Sequence, residues 1–202
     1  MNFKSDPIFA QRFFSCAGLY TDKIDGIYGK NSIKAEADFN KLFVKYAEQY
    51  GRFDDRTEGN ISTLLPKTQI AARKAMIAVK ALGGGLTVQI LSGTRTYAEQ
   101  SAIYAQGRTK PGNVVTNAKA GQSNHNFGIA FDIGVFKGKT YYDGDTAAEE
   151  KAYVDASKLI RPATGLDWGG TWRKPDNPHY ELPTNKTVSQ VRAMLEAGKA
   201  YV

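Results

Sequence analysis

The sequence predicts an α+β fold: a small antiparallel sheet flanked by helices, with a helical segment ahead of it. Three observations predict it. Helix-period stretches outnumber strand-like ones. The strand-like runs LTVQILSG, FGIAFDIGVF and HYEL do not alternate with helices in β-α-β units. The helices are cut at definite points by capping residues and glycine stops.

In chain order, Pro7 to Cys16 reads as a short helix with Asp6 as N-cap and Pro7 at the first helical position. A Gly-marked turn, GLYTDKIDGIYG, follows, and Asn31 or Ser32 caps a helix running to about Gln49 on the apolar stripe Ile33, Ala37, Leu42 and Phe43. The polar, Gly-bounded stretch YGRFDDRTEGN reads as a linker. Pro66 opens a further helix that Gly83-Gly84-Gly85 stops. LTVQILSG is a strand by β-branched content and alternation. TYAEQSAIYAQG is a helix with Thr96 and Glu99 in capping-box spacing. After the long loop RTKPGNVVTNAKAGQSN, FGIAFDIGVF is a buried strand with Gly128 at its start, and KGKTYY pairs with it as a hairpin. TAAEEKAYVDASKLI is a helix, GLDWGGTW a loop, HYEL a short strand and TVSQVRAMLEAGKAYV the closing helix. The expected division is a helical segment over 1–50, a linker over 51–65 and one domain over 66–202.

Composition bounds the function. With 42% hydrophobic and 23% charged residues the chain is globular rather than disordered. No run approaches the roughly 20 apolar residues that span a bilayer, so no stable membrane insertion is expected. The first residues, MNFKSDPIFAQRFF, lack the apolar core of a secretory signal. The single Cys16 excludes an internal disulfide, and its helical setting reads as a buried structural thiol. The net charge of +7 favours polyanionic surroundings or is simply that of a mildly basic surface, since no block of five or six basic residues occurs.

The chain has two histidines, both in Gly-, Pro- and Asp-rich segments: SNHNFGIAFDIG and KPDNPHYEL. His125 and Asp132 are seven positions apart, and alternation along the strand places Ala130 and Gly128 on the face of Asp132, a small-residue approach to the carboxylate. His179 begins another strand behind Pro178. Two imidazoles and one carboxylate suit a divalent transition metal, and three protein ligands leave a fourth tetrahedral position open, as in catalytic zinc sites. A mononuclear iron centre uses the same donor types, but usually sets its first pair as His-x-Asp, whereas here six residues intervene. Asp176, three residues before His179, either serves as a general base or closes an Asx-turn in DNPH. Arg95, where strand meets capped helix, either stabilises an oxyanion or is a surface loop residue.

In order along the chain, SGTRTYAEQ, QGRTKPG, SNHNFGIAFDIG, LDWGGTW and DNPHYEL resemble the zinc D-alanyl-D-alanine carboxypeptidase and L-alanyl-D-glutamate endopeptidase family, which includes VanY-like enzymes and phage endolysins. The resemblance covers about Pro66 to Glu181. It implies that His125, Asp132 and His179 bind Zn2+, that Asp176 is the general base, that Arg95 polarises the scissile carbonyl, and that Ser123 supports the site. The QGRTKPG loop and the Trp168 segment look most like the endopeptidase branch, which cuts L-Ala–D-Glu in bacterial peptidoglycan; a D-alanyl-D-alanine carboxypeptidase and a non-catalytic wall-binding protein are the alternatives. IDGIYGKNSIKAEADF is similar to small helical peptidoglycan-binding modules, which implies a wall-contacting role for Asp25, Gly26, Tyr28 and Gly29, or else a helical cap that only packs. The resemblance thus implies peptidoglycan as partner, no nucleic acid, and a monomeric endolysin held in the host cytoplasm until lysis.

Overall fold

The computed structural model describes Asn2 to Val202. Among the described residues the helices are α1 (Pro7–Cys16), α2 (Lys30–Tyr50), α3 (Asp55–Ile61), α4 (Pro66–Ala78), α5 (Tyr97–Ala105), α6 (Ala147–Thr164) and α7 (Val188–Glu196). The strands are β1 (Leu86–Ser92), β2 (Ala130–Lys137), β3 (Thr140–Tyr142), β4 (Asp167–Trp168) and β5 (His179–Glu181), with short 3-10 turns at Asn124–Phe127 and Gly169–Thr171. The expected α+β class holds. The chain divides into two compact units: Met1–Leu42 with Thr94–Ile129 and Thr184–Val202, and Phe43–Gly93 with Ala130–Pro183.

The first unit is helical. Asp6 accepts the Phe9 N–H at 3.0 Å and Pro7 occupies the first turn, so α1 starts where the cap and the pre-set φ coincide. Its Phe9, Phe13 and Phe14 are buried, and with Phe3 and Phe39 they form an aromatic cluster with ring centroids 4.7 to 6.2 Å apart. Cys16 lies in this interior; burial pushes its thiol pKa up to about 12, which suits a structural rather than a nucleophilic role. α7 ends at Glu196, short of the sequence expectation, because Gly198 turns the chain through φ +64°. The last residues run on so that the buried Tyr201 hydroxyl donates to the Phe127 carbonyl.

The second unit holds the sheet, ordered β1-β2-β5-β4, with β3 also paired to β2 and every pairing antiparallel. One face carries Ile90, Phe131, Ile133, Val135 and Tyr180 into a core shared with α4 and α6. Phe131 and Tyr180, cross-strand neighbours, stack at 5.9 Å. The β1–β2 register slips between Ile90 and Ser92, so Leu91 bulges opposite Asp132. Gly134 makes room for the bulge: a Cβ there would lie 2.4 Å from Leu91 Cδ1. α6 opens on the Thr146/Glu149 capping box and stops at Gly165, φ +70°.

Two expectations from sequence change. The stretch read as a linker contains α3, capped by Asp54, which accepts the Thr57 N–H at 3.1 Å. Its charges are not all solvated, because Glu58 takes two hydrogen bonds from the fully buried Arg73 at 2.8 and 2.9 Å. β2 begins at Ala130, not at Phe127. The preceding residues form a 3-10 turn that Gly128 ends in the left-handed region at φ +69°, where a glycine is needed.

Candidate metal centre

Local structure aims each ligand. In β2 and β5, Asp132 and His179 are directly opposed across the antiparallel ladder, and the Ile133 N–H donates to the Pro178 carbonyl at 3.0 Å, fixing the entry to β5. His125 rides on the 3-10 turn that Gly128 reverses into β2, which brings it back toward Asp132 despite the six intervening residues. The ligand atoms of His125, Asp132 and His179 all lie within 4.8 Å of one another. The imidazoles are 2% and 5% exposed, and the carboxylate is half-buried.

The donor set fits a divalent transition-metal ion. Two imidazoles and a carboxylate converge from three separate positions, and a buried cluster of that chemistry has no apolar role. His179 is held from both edges of its ring: Nδ1 faces Asp132 Oδ1 at 3.2 Å, and Nε2 faces Glu181 Oε2 at 2.8 Å. Burial pushes the pKa of this imidazole down, but the hydrogen bonds to the two carboxylates outweigh it and carry the value up to about 9.

Asp176 and the segment before it are set by Gly169. The Gly169 carbonyl accepts both the Asp176 and Trp172 N–H groups at 3.0 Å, and the Asp176 carbonyl accepts the His179 N–H at 3.1 Å. Asp176 is exposed. A Cβ on Gly169 would lie 2.5 Å from the Asp176 carbonyl oxygen and 3.1 Å from His179 Cβ, so glycine alone permits this approach. Arg95, half-buried, donates its backbone N–H to the His125 carbonyl at 3.0 Å, and its own carbonyl accepts from Asn126 Nδ2 at 2.9 Å. Ser123 precedes the 3-10 turn, and its carbonyl accepts the Asn126 N–H.

The structure puts other expected site residues elsewhere. Trp168 is 7% exposed in the sheet core and donates Nε1–H to the Asn177 carbonyl at 2.8 Å, bracing the turn before His179. The indole on the surface is Trp172, 41% exposed, its ring 4.9 Å from that of His179. Asp25 and Gly26 are fastened to buried Gln11: Gln11 Nε2 donates to Asp25 Oδ1, and Gln11 Oε1 accepts from both backbone N–H groups. The Tyr28 hydroxyl donates to Glu36 at 2.7 Å, and the Gly29 carbonyl accepts the Ile33 N–H in the first turn of α2. The contacts of Asp25, Gly26, Tyr28 and Gly29 thus organise their own loop.

Sequence reasoning passed over Gly169, Trp172, Asn126 and Glu181. The first two stood in the quoted GGTW run, and His179-x-Glu181 is a same-face pair on any strand. Nothing in the sequence marks Asn126, whose buried amide takes the Gly121 N–H at 3.0 Å while donating to Arg95.

The D-alanyl-D-alanine carboxypeptidase family model matches residues 116–182. The peptidoglycan L-alanyl-D-glutamate endopeptidase CwlK of Bacillus subtilis (strain 168) is 37% identical over 124 residues, 59% of this chain and 72% of that protein. Among solved structures, the Serratia marcescens L-Ala D-Glu endopeptidase ChiX aligns with 68% of this chain and 94% of its own, at 21% identity and a TM-score of 0.47.

Proposed function

Since the chain belongs to the D-alanyl-D-alanine carboxypeptidase family of peptidases, we propose that it is a zinc-dependent endopeptidase hydrolysing the L-Ala–D-Glu bond of peptidoglycan stem peptides. The observation that carries this reading is the convergence of His125, Asp132 and His179 within 4.8 Å. The choice of bond rests on the 37% identity to an enzyme named for it.

His125, Asp132 and His179 would hold the ion, which would supply Lewis acidity for the attacking water and the scissile carbonyl. Asp176 takes the proton that the water gives up as its oxygen bonds to the carbonyl carbon, then delivers it to the leaving amine as the C–N bond breaks. Its exposed position leaves it open to substrate, and the Gly169 carbonyl fixes its backbone. Arg95, tied by its backbone to His125 and Asn126, supplies positive charge to the developing oxyanion.

The wall is also the partner suggested by charge. The first unit carries 13 Lys and Arg against 7 Asp and Glu, while the second carries 14 against 13, so nearly all of the +7 lies in the first. That unit contains the N-terminal segment and is suited to anionic wall polymers. In this reading the protein acts as a phage-type endolysin, kept in the host cytoplasm until lysis.

Mass spectrometry of muropeptides released from purified sacculi by the zinc-loaded protein tests the reading. New L-Ala carboxyl and D-Glu amino ends are expected. Loss of the terminal D-Ala alone would instead make it a carboxypeptidase, and binding without any new amino groups would make it a wall-binding protein.

A further inference from the structure

We infer that Glu181 is a positioning residue of the metal centre, selecting the tautomer of His179 that turns Nδ1 toward the ion. The inference deepens the proposed metal site and does not depend on which bond the enzyme cuts. β5 is only three residues long, and its alternation puts His179 and Glu181 on the same face. Ala130 is the residue opposite Glu181 on β2, and its methyl group leaves room for the carboxylate to turn back along the strand. The result is a 2.8 Å contact between Glu181 Oε2 and His179 Nε2, on the edge of the ring away from Asp132. The donor cluster consists of His125, Asp132 and His179, so Glu181 is a partner of a ligand rather than a ligand.

The chemistry follows from the valence of imidazole. A neutral ring has one N–H and one lone pair, and a carboxylate can only accept. Each ring nitrogen faces a carboxylate, and with Asp132 engaged by an ion Glu181 would be the one left to accept, so it would hold the proton on Nε2 and leave the Nδ1 lone pair, on the Asp132 side, for the ion. The side chain of Glu181 is 19% exposed, so the bond is shielded from competing water. Trp172 lies against the same imidazole, restraining the ring face as the carboxylates restrain its edges.

The test measures metal affinity and tautomer, not turnover. Zinc affinity of the wild type, Glu181→Gln and Glu181→Ala is determined by competition with a chromophoric chelator, on variants shown by circular dichroism to be folded. Removing such a partner typically costs 10- to 100-fold in affinity, and that loss is expected for Glu181→Ala. Glu181→Gln keeps an acceptor for the Nε2–H and should lose less than about tenfold, recovering most of the deficit, which a merely space-filling role for the side chain would not predict. Because the chain has only two histidines, long-range 1H–15N correlation spectra of the zinc-loaded protein resolve both rings. His179 is expected to keep its proton on Nε2. Wild-type affinity in a folded Glu181→Ala protein, or a His179 ring coordinated through Nε2, would overturn the inference. Should the muropeptide digest show no peptidase activity while these affinities behave as expected, the function fails and this assignment stands.

Discussion

Gly169→Ala is the sharpest perturbation available without touching a functional side chain. The new Cβ would sit 2.5 Å from the carbonyl oxygen of Asp176, about 1 Å inside the roughly 3.5 Å at which non-bonded heavy atoms settle. That oxygen belongs to the backbone and accepts the His179 N–H, so it cannot rotate away as a side chain would. His179 Cβ, at 3.1 Å, and Asp176 Cβ, at 3.2 Å, block the neighbouring directions. The strain must therefore move Asp176, the proposed general base, relative to the His125, Asp132 and His179 cluster. A displacement of about 1 Å costs on the order of 100-fold in rate, which is about 2.7 kcal/mol of barrier. Overpacking of this kind costs about 1–3 kcal/mol of stability, and at about 2–4 °C per kcal/mol for a chain of this size the Tm should fall by about 2–12 °C. The assays are kcat/KM on purified sacculi and thermal unfolding followed by circular dichroism, both on zinc-loaded protein. Activity within twofold of wild type with an unchanged Tm would refute the reasoning, since it would mean that the close approach of Gly169 does not set Asp176.

Four further expectations rest on side-chain partners in the structure. Asp176→Asn should keep its zinc, measured by elemental analysis, yet lose at least about 100-fold in kcat, because only the proton acceptor is removed. Glu58→Ala strands the fully buried Arg73 guanidinium and should cost about 3–5 kcal/mol in urea unfolding, whereas Lys34→Ala, at an exposed pair with Asp38, should change stability by less than about 1 kcal/mol. For the metal-free protein, the His179 pKa is raised from 6.5 when unfolded to about 9 when folded. Protonated His179 thus stabilises the apo fold fully below pH 6.5, and that contribution is lost as the pH rises through about 9. Because an ion at Nδ1 competes with the same proton, zinc affinity should rise with pH up to about 9; chelator competition at several pH values would reveal a flat profile if the carboxylate clamp were wrong.

Much of the site was legible because its chemistry is carried by rare residue types in short, ordered segments. With only two histidines in the chain, the ligand set needed few choices, and Pro178, the capping boxes and the glycine stops fixed local structure wherever short-range sterics and hydrogen bonds decide it. The strand reads as starting at Phe127 rather than Ala130 because FGIAF is apolar apart from its glycine, and hydrophobicity alone does not separate the end of a tight turn from a buried strand. The helix at Asp55–Ile61 was missed because its charges look solvated until Arg73, fifteen residues beyond Glu58, is seen to bury against one of them.

By itself, then, the sequence determined the α+β class, most helix boundaries and the three side chains that form the candidate cluster, since each depends on residue identity and near neighbours. Tertiary structure decided which side chains face the cluster and which only brace it. Trp168 and Trp172 are both tryptophans four residues apart, yet one is enclosed in the sheet core and the other lies against His179. That Gln11, fourteen positions away, holds Asp25 is likewise invisible in the sequence. Exposure and partnership are properties of chain segments brought together from afar, and no local pattern encodes them.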